Sequence, residues 1–269
     1  MNYRHGYHAG NFADVVKHVA LVQILQYLKN KDTAFAVIDS HAGRGSYDLT
    51  GTEAGKTGEA QNGVGRLADV PGDLPEALTA YLTLMKEGGD VYPGSPLIVA
   101  KLLRPQDRLT AIEKHPEEFT ILEEVLAPFR NAVAEKDDGY RRAVKLLPPP
   151  SRRGLVLIDP PFEATDEFET LGRAVREGYR KFATGIYLIW YPIKSQSDAD
   201  AFTGEVLASG ITKAVRVEIA ITPDGEKLSR AGLMVINPPY GFDMAMRAVA
   251  AILSPRLGQV AVTWLAGAE

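Results

Sequence analysis

The feature that most constrains the fold is a regular alternation of short apolar runs and helical stretches along most of the chain. Strands are predicted at 34–40, 109–115, 132–138, 154–159 and 185–193, and helices at 116–128, 140–147, 166–182 and 198–208. Strands that alternate with helices form a parallel sheet, and the helices cover both of its faces. The sequence therefore predicts an α/β fold with a mostly parallel, twisted sheet.

Two segments near the N-terminus have other patterns. Residues 11–30 predict a helix, because Asn11 is a good N-cap and apolar positions recur at helical spacing. Residues 46–105 are rich in Gly and Thr and then predict two helices, the second capped by Ser95 with Pro96 at its first position. We expect 46–105 to be a small inserted helical subdomain within a single domain that spans 1–269.

The C-terminal part predicts antiparallel structure. Residues 213–221 alternate between apolar and polar side chains, and the apolar run 232–239 follows after a long loop. Two such runs joined by a loop are typical of a hairpin. We expect this hairpin to close one edge of the sheet.

Composition narrows the class of protein. The chain has no Cys, which excludes disulfides, thiolate zinc sites and Cys nucleophiles. It has no run of 18 apolar residues and no apolar signal core at its start, so we expect a cytoplasmic protein. The net charge of −4 argues against a protein that coats nucleic acid non-specifically.

Basic residues are nevertheless concentrated locally. The segment 141–153 holds five of them and no acid: Arg141, Arg142, Lys145, Arg152 and Arg153. Together with Arg4, Arg44 and Lys56, they are candidate phosphate contacts.

Acidic side chains stand at the ends of four successive predicted strands. They are Asp39, Glu113, Asp138 (next to Asp137) and Asp159, and the glycine turn DSHAGRG begins at the first of them. In such sheets ligands bind at the carboxyl ends of the strands. The acids therefore predict a pocket rich in hydrogen-bond acceptors, which suits the hydroxyls and amino groups of an adenosine and suits a pyrophosphate badly.

A nicotinamide-dependent dehydrogenase fits this pattern less well. The dinucleotide fingerprint requires a third glycine where this chain has Asp48, and an acid about 20 residues later. Glu113 follows only after the inserted segment. An NAD site is thus disfavoured but remains an alternative.

The most specific local pattern is Asp159-Pro160-Pro161-Phe162. The two prolines fix the backbone and remove N–H donors, so the Asp159 carboxylate and the Pro160 carbonyl present two acceptors together. A planar amino group has two matching N–H donors. Phe162 can stack on the ring that carries such an amino group, a contact worth about 1–3 kcal/mol.

The chain also resembles a known family. The Asp-Pro-Pro-Phe segment resembles motif IV of S-adenosylmethionine-dependent amino methyltransferases, which have a Rossmann-like class I fold. Together with YRHGYHAGNFADVVKH, DSHAGRG, YPGSP and AIEKHPEE, it identifies the chain as similar to the RlmJ family over essentially its whole length. This resemblance implies methylation of the exocyclic amino group of one adenine in 23S ribosomal RNA. Because the cofactor's sulfur loses its charge in such a step, we expect no metal in the site, and we expect the chain to be a monomer.

The resemblance also implies roles for individual residues. S-adenosylmethionine would be held by Lys17, His18, His41, Ser95, Glu113, Asp138, Gly139 and Asp159. Lys17 and His18 would border its methionine part, Glu113 its ribose, and Asp138 with Gly139 its adenine. Asp159, Pro160 and Phe162 would be the catalytic segment, and Tyr3 and Arg4 would contact the substrate. Phe162 stands where Tyr is common, so stacking is retained without a phenolic hydrogen bond.

Besides the NAD site, three alternatives remain open from the sequence. One is a DNA adenine-N6 methyltransferase, and another is a nucleic-acid-binding protein of the same fold without turnover. The third concerns the site, since Asn237-Pro238-Pro239-Tyr240 fits the same motif. We expect 159–162 to be the catalytic copy, because it ends a strand beside the glycine turn, whereas Asn237 ends the hairpin toward the sheet edge.

Overall fold

The computed structural model describes residues 8–51, 58–223, 225 and 228–267. Its strands are β1 (Ala36–Asp39), β2 (Ser46–Asp48), β3 (Val91–Pro93), β4 (Arg108–Glu113), β5 (Ala132–Lys136), β6 (Gly154–Ile158), β7 (Ile186–Pro192), β8 (Ala214–Ala220), β9 (Arg230–Ile236) and β10 (Gln259–Ala266). Its helices are α1 (Phe12–Lys29), α2 (Glu59–Asn62), α3 (Glu76–Gly88), α4 (Ser95–Leu102), α5 (Pro116–Leu126), α6 (Gly139–Lys145), α7 (Glu167–Lys181), α8 (Gln196–Leu207) and α9 (Phe242–Leu253), with a 3₁₀ helix at Val64–Leu67.

The predicted α/β fold is confirmed. Eight strands form one sheet in the order β10-β8-β9-β7-β6-β1-β4-β5, and the five from β7 to β5 are parallel. The chain runs outward from β1 through β4 to β5 and then crosses back to β6 on the other side of β1. This reversal creates a switch point between β1 and β6, where ligands of such sheets bind.

The C-terminal strands differ from the expected arrangement. β8 and β9 do pair in an antiparallel manner, but β9 lies between β7 and β8 inside the sheet. The edge is formed by β10, which the sequence analysis did not predict and which pairs with β8. The expectation that Asn237 lies toward the sheet edge is therefore wrong. Because β9 runs against β7, Asn237 lies at the opposite ends of the strands from the switch point.

Helix α1 is buried almost all round, between the sheet and the inserted segment. Asn11 caps it as predicted, since its side-chain oxygen accepts from the backbone N–H groups of Ala13 and Asp14 at 2.9 Å each. The helix contacts α3 and α4 of the inserted segment and also β8 and β9. A helix in such a position needs apolar residues on every side, yet Asp14, Lys17 and His18 are buried in it.

The inserted segment contains α2, the 3₁₀ helix, α3, α4 and the two-stranded sheet β2-β3. Its buried Tyr81 and Tyr92 belong to the same hydrophobic cluster as Val15 of α1 and Val37 of β1. We therefore propose that 46–105 is an insertion built into the core of one domain. No helix in the described parts of the chain is both long and apolar enough to cross a bilayer.

Helix α4 begins one residue earlier than predicted. Gly94 is its N-cap and Ser95 is already helical, so the expectation that Ser95 caps the helix is wrong. The reason is a distant contact: the Ser95 hydroxyl donates to Asp39 Oδ2 at 2.7 Å and is unavailable for capping.

Candidate active site

A cavity of about 980 Å³ opens at the carboxyl ends of the parallel strands, around the switch point. The residues predicted to bind the cofactor line it: Lys17, His18, His41, Ser95, Glu113, Asp138, Gly139 and Asp159. The predicted catalytic segment lines it as well, through Asp159, Pro160 and Phe162. Tyr3, Arg4 and Lys56 lie outside the described residues. One cavity thus brings together every described residue that the resemblance assigned to the site. Asp39, which the pattern of acids also placed in the pocket, is fully buried and is not among the lining residues.

Lys17 lines this cavity and contacts two carboxylates. Its Nζ donates to Asp14 Oδ1 at 2.7 Å and to Asp159 Oδ2. Only 4% of the Lys17 side chain is exposed. Burial alone lowers the pKa of Lys17, but the charges of Asp14 and Asp159 outweigh it, so its pKa is raised. The ammonium stays protonated, and the three groups together carry one net negative charge.

Asp14 is a member of this group that the sequence analysis used only as a charge at the start of a helix. Its Oδ2 also accepts from the Gly10 backbone N–H at 2.9 Å. The carboxylate therefore ties Lys17 to the chain just before α1. An Asp and a Lys three residues apart on an otherwise apolar helix are the sequence signal that indicates this buried pair.

The glycine turn after β1 is held by Glu113. Its two carboxylate oxygens accept from the Gly43 N–H at 2.9 Å and from the His115 N–H at 2.6 Å. Gly43 has a φ of +61°, and a Cβ there would lie 2.3 Å from the Tyr47 hydroxyl, so a larger residue would be strained unless Tyr47 moved. Desolvation raises the pKa of Glu113. A carboxylate has about four acceptor sites, so Glu113 can also accept from a ligand.

Asp138 and Gly139 form the start of α6 on the same side of the cavity. Asp138 caps the helix by accepting from the Arg141 N–H at 3.2 Å, and it also accepts from Lys114 Nζ at 3.1 Å. A Cβ on Gly139 would lie 1.9 Å from the Ser40 carbonyl oxygen. The glycine therefore allows α6 to approach the turn after β1 closely.

His18 is buried along the cavity and His41 is half-buried there, in different surroundings. Burial lowers the pKa of His41 to about 4, so its ring is neutral at pH 7. Its ring packs edge-on against Tyr140, with centroids 4.7 Å apart. His18 Nδ1 lies 2.7 Å from the Tyr92 hydroxyl, which joins α1 to the inserted segment.

Asp39 is fully buried at the end of β1, and burial raises its pKa to about 7. An acid with a raised folded-state pKa binds protons more tightly in the folded chain, so its ionisation costs stability as the pH rises from about 4 to about 7. We expect Asp39→Asn to abolish a loss of stability on the order of 2–3 kcal/mol between pH 5 and pH 8, since about two pH units of this window lie below the folded-state pKa. Urea unfolding of both proteins at the two pH values measures this. An identical pH dependence in both would contradict the account.

Phe162 has a left-handed backbone with a φ of +51°, a conformation that costs a non-glycine residue about 1–3 kcal/mol. Its ring packs edge-on against Phe168 and Trp190, with centroids 4.8 and 5.9 Å away. Trp190 also lines the cavity and is half-buried. The sequence analysis missed Trp190, because it reads as one more apolar residue of a buried strand.

The basic segment 141–153 does not form an unpaired face at the cavity. Arg141 pairs with Asp137 and Arg142 with Glu135. Arg153 stands before β6, at the other end of the strands, and donates to the carbonyls of Leu28 and Thr33. Arg44 makes a two-pronged ion pair with Glu118. Arg44, Arg141 and Arg142, predicted as candidate phosphate contacts, are therefore already engaged with carboxylates within the chain.

The second copy of the motif is used for packing. The Asn237 side-chain amide donates to the carbonyls of Ala183 and Gly185 at 2.8 and 2.7 Å. Asn237 is not among the residues that line the cavity, in agreement with its position at the far ends of the strands.

The sheet order, with the Asp-Pro-Pro-Phe segment and the glycine turn flanking the switch point, defines a Rossmann-like methyltransferase. The family model RsmJ, described as "Ribosomal RNA large subunit methyltransferase D, RlmJ", matches residues 32–266. The chain belongs to this family of ribosomal RNA large subunit methyltransferases.

Individual relatives agree with this assignment. The chain is 40% identical to ribosomal RNA large subunit methyltransferase J of Haemophilus influenzae, over 98% of this chain and 99% of the relative. It is 39% identical to the protein of the same name from Escherichia coli, with the same coverage. A crystal structure of a Legionella pneumophila protein superposes with a TM-score of 0.88 at 33% identity, covering 97% of this chain and 99% of the other.

Proposed function

We propose that this chain transfers the methyl group of S-adenosylmethionine to the exocyclic amino group of one adenine in 23S ribosomal RNA. The observation that carries the proposal is the Asp159 carboxylate, fixed by buried Lys17 at the switch point and followed directly by the Pro160 carbonyl. The names of the relatives support ribosomal RNA as the substrate.

The residues present fit this cofactor. Glu113 would offer acceptors to the ribose hydroxyls, and Asp138 with the Gly139 backbone would bind the adenine; all three residues line the cavity. Lys17 and His18 would border the methionine part. The net negative charge of Asp14, Lys17 and Asp159 suits a positively charged sulfur. The acceptor-rich lining suits a pyrophosphate poorly, which disfavours NAD.

When bound, S-adenosylmethionine supplies an electrophilic methyl group. The chain's task is to prepare the amino nitrogen of the target adenine, whose lone pair is delocalised into the ring. Lys17 occupies Asp159 Oδ2 and leaves Oδ1 open, and no donor among the described residues binds the Pro160 carbonyl. These two acceptors would take both N–H bonds of the amino group, localise the lone pair and aim it at the methyl carbon.

Positioning supplies much of the rate in such a reaction, because well-oriented reactants gain about 7–11 kcal/mol. The nitrogen gains the methyl group and loses one proton, which passes to the Asp159 carboxylate or to water. Lys17 is already protonated and therefore orients Asp159 without acting as the base. The step develops no oxyanion, so we propose that it needs no metal, in a monomeric cytoplasmic enzyme.

The target base has to leave its helix or lie in a loop. An adenine stacked in a duplex cannot bring its amino group to a carboxylate at the bottom of a cavity. Single-stranded loops and bulges are the usual targets of sequence-specific RNA recognition. Phe162 and Trp190 provide the aromatic wall for the unstacked base.

We expect S-adenosylmethionine and its demethylated product to bind with micromolar dissociation constants, because the cavity offers acceptors for hydroxyls and amino groups. NAD is expected not to bind. Isothermal titration calorimetry of the purified chain with each of the three compounds measures this. Binding of NAD without binding of S-adenosylmethionine would contradict the proposed function.

We expect labelled methyl groups to pass to RNA in preference to DNA of the same sequence. The measurement uses protein-free 23S ribosomal RNA, a fragment of it and the matching DNA, with tritiated S-adenosylmethionine. Equal transfer to RNA and DNA would support the DNA alternative. Cofactor binding without transfer to either would support a binding protein without turnover.

A further inference from the structure

The cavity extends well beyond the cofactor-binding half. Past Asp159 it continues along the sheet edge formed by the carboxyl ends of β7 and β8 and the amino ends of β9 and β10. The residues of this outer wall include Trp190, Lys194, Thr222, Leu228, Arg256 and Leu257. From Trp190 to Gly258, no Asp or Glu is found among the described lining residues.

The inserted segment completes the outer wall with Arg66. The 3₁₀ helix that carries Arg66 is held against the chain before α1, because the Val64 N–H donates to the Gly10 carbonyl at 2.9 Å. Arg66 itself donates to the Arg256 carbonyl at 3.1 Å and to Asn62 Oδ1 at 3.0 Å. The insertion therefore brings a guanidinium next to Arg256 at the rim of the cavity.

The cations of the outer wall differ from those of the inner half in their partners. Lys17 and Lys114, in the inner half, are paired with Asp159 and Asp138. Arg66, Arg256 and Lys194 form no ion pair with any residue in the described ranges.

The guanidinium groups also have hydrogen-bond donors to spare. An arginine has five N–H donors, and Arg256 uses one of them on the Ile252 carbonyl at 2.9 Å. Arg66 uses two, on the neutral acceptors Arg256 O and Asn62 Oδ1. The N–H donors that remain free suit the phosphates of a nucleic-acid strand. The half-buried indole of Trp190 suits stacking against the face of one of its bases.

We infer that this outer wall is the groove for the single RNA strand that flanks the target adenine, with Arg66, Lys194 and Arg256 binding its phosphates. The inference rests on the proposed function, because the strand is positioned relative to the cofactor site proposed there. The cofactor would lie on one side of Asp159 and the RNA strand on the other. It replaces the segment 141–153 as the main phosphate-binding surface.

The test compares a triple variant, Arg66→Ala, Lys194→Ala and Arg256→Ala, with a control triple variant, Lys86→Ala, Lys136→Ala and Arg180→Ala. The control removes the same charge from exposed cations that do not line the cavity. Fluorescence anisotropy with an unstructured RNA oligonucleotide gives the dissociation constant at several salt concentrations. Methyl transfer to protein-free 23S ribosomal RNA gives KM and kcat.

For the groove variant we expect a KM for RNA raised at least about tenfold with kcat within about twofold. The slope of log Kd against log salt should fall by about 2, because each phosphate contact to a single strand contributes about 0.7. Binding of the demethylated cofactor should be unchanged. The control variant should resemble the unmodified chain in all of these.

Equal losses of RNA affinity and salt slope in the two triple variants would overturn the groove. A fall in kcat at unchanged KM would overturn it as well. Failure of the unmodified chain to methylate RNA would instead contradict the proposed function, while the binding comparison would still decide where a strand lies.

Discussion

Replacing Asp159 with alanine is expected to abolish methyl transfer, with a loss of at least about 10²–10³ in kcat, and to leave S-adenosylmethionine affinity within about tenfold, or 1.4 kcal/mol. The carboxylate binds the substrate amino group more than the cofactor. The variant should fold, because Lys17 keeps its buried partner Asp14. Labelled methyl transfer and calorimetry on the same preparation measure the two effects.

Asn237→Ala is the matched control, since it removes the first residue of the other Pro-Pro motif. It should retain activity and lose about 1–3 kcal/mol of stability, because it leaves two carbonyl acceptors without their donor. A folded but inactive Asn237→Ala protein beside an active Asp159→Ala protein would show that we have assigned the wrong copy.

Lys17→Met is expected to have the second large effect. It leaves Asp14 and Asp159 close together without the cation that both contact. Removing one partner of a buried ion pair typically costs about 3–5 kcal/mol. We expect a loss of stability of that size at pH 7, measured by urea unfolding, together with loss of methyl transfer.

A double variant separates the two consequences of Lys17→Met. Adding Asp14→Asn removes one of the two carboxylates that have lost the Lys17 ammonium, so most of the stability should return. Activity should not return, because Asp159 still lacks the group that orients it. A Lys17→Met protein as stable as the unmodified chain would contradict the buried ion pairs described here.

The sequence allowed the parallel part of the sheet to be predicted because its signals are local. Each strand is a short apolar run, and each is followed by a helical stretch within a few residues. The order of the C-terminal strands has no such local signal. The position of β9 between β7 and β8 depends on pairing across long separations, and on β10, whose alternating pattern was overlooked.

For the site, too, local patterns could be predicted from the sequence and contacts between distant residues could not. Acids at or just after the ends of β4, β5 and β6 were visible as a pattern, since parallel strands bring their carboxyl ends to one edge. Contacts between distant residues were not visible. Ser95 donates to Asp39, 56 residues away, and Arg44 pairs with Glu118, 74 residues away. Ser95 was expected to cap a helix and Arg44 to contact a phosphate. In these contacts both side chains have structural roles instead.

The most direct test of the central claim is mass spectrometry of 23S ribosomal RNA from a strain that lacks this gene. We predict that one N6-methylated adenine disappears, that the unmodified gene restores it, and that a gene carrying Asp159→Ala does not. Unchanged methylation in the deletion strain, or restoration by the Asp159→Ala gene, would contradict the account.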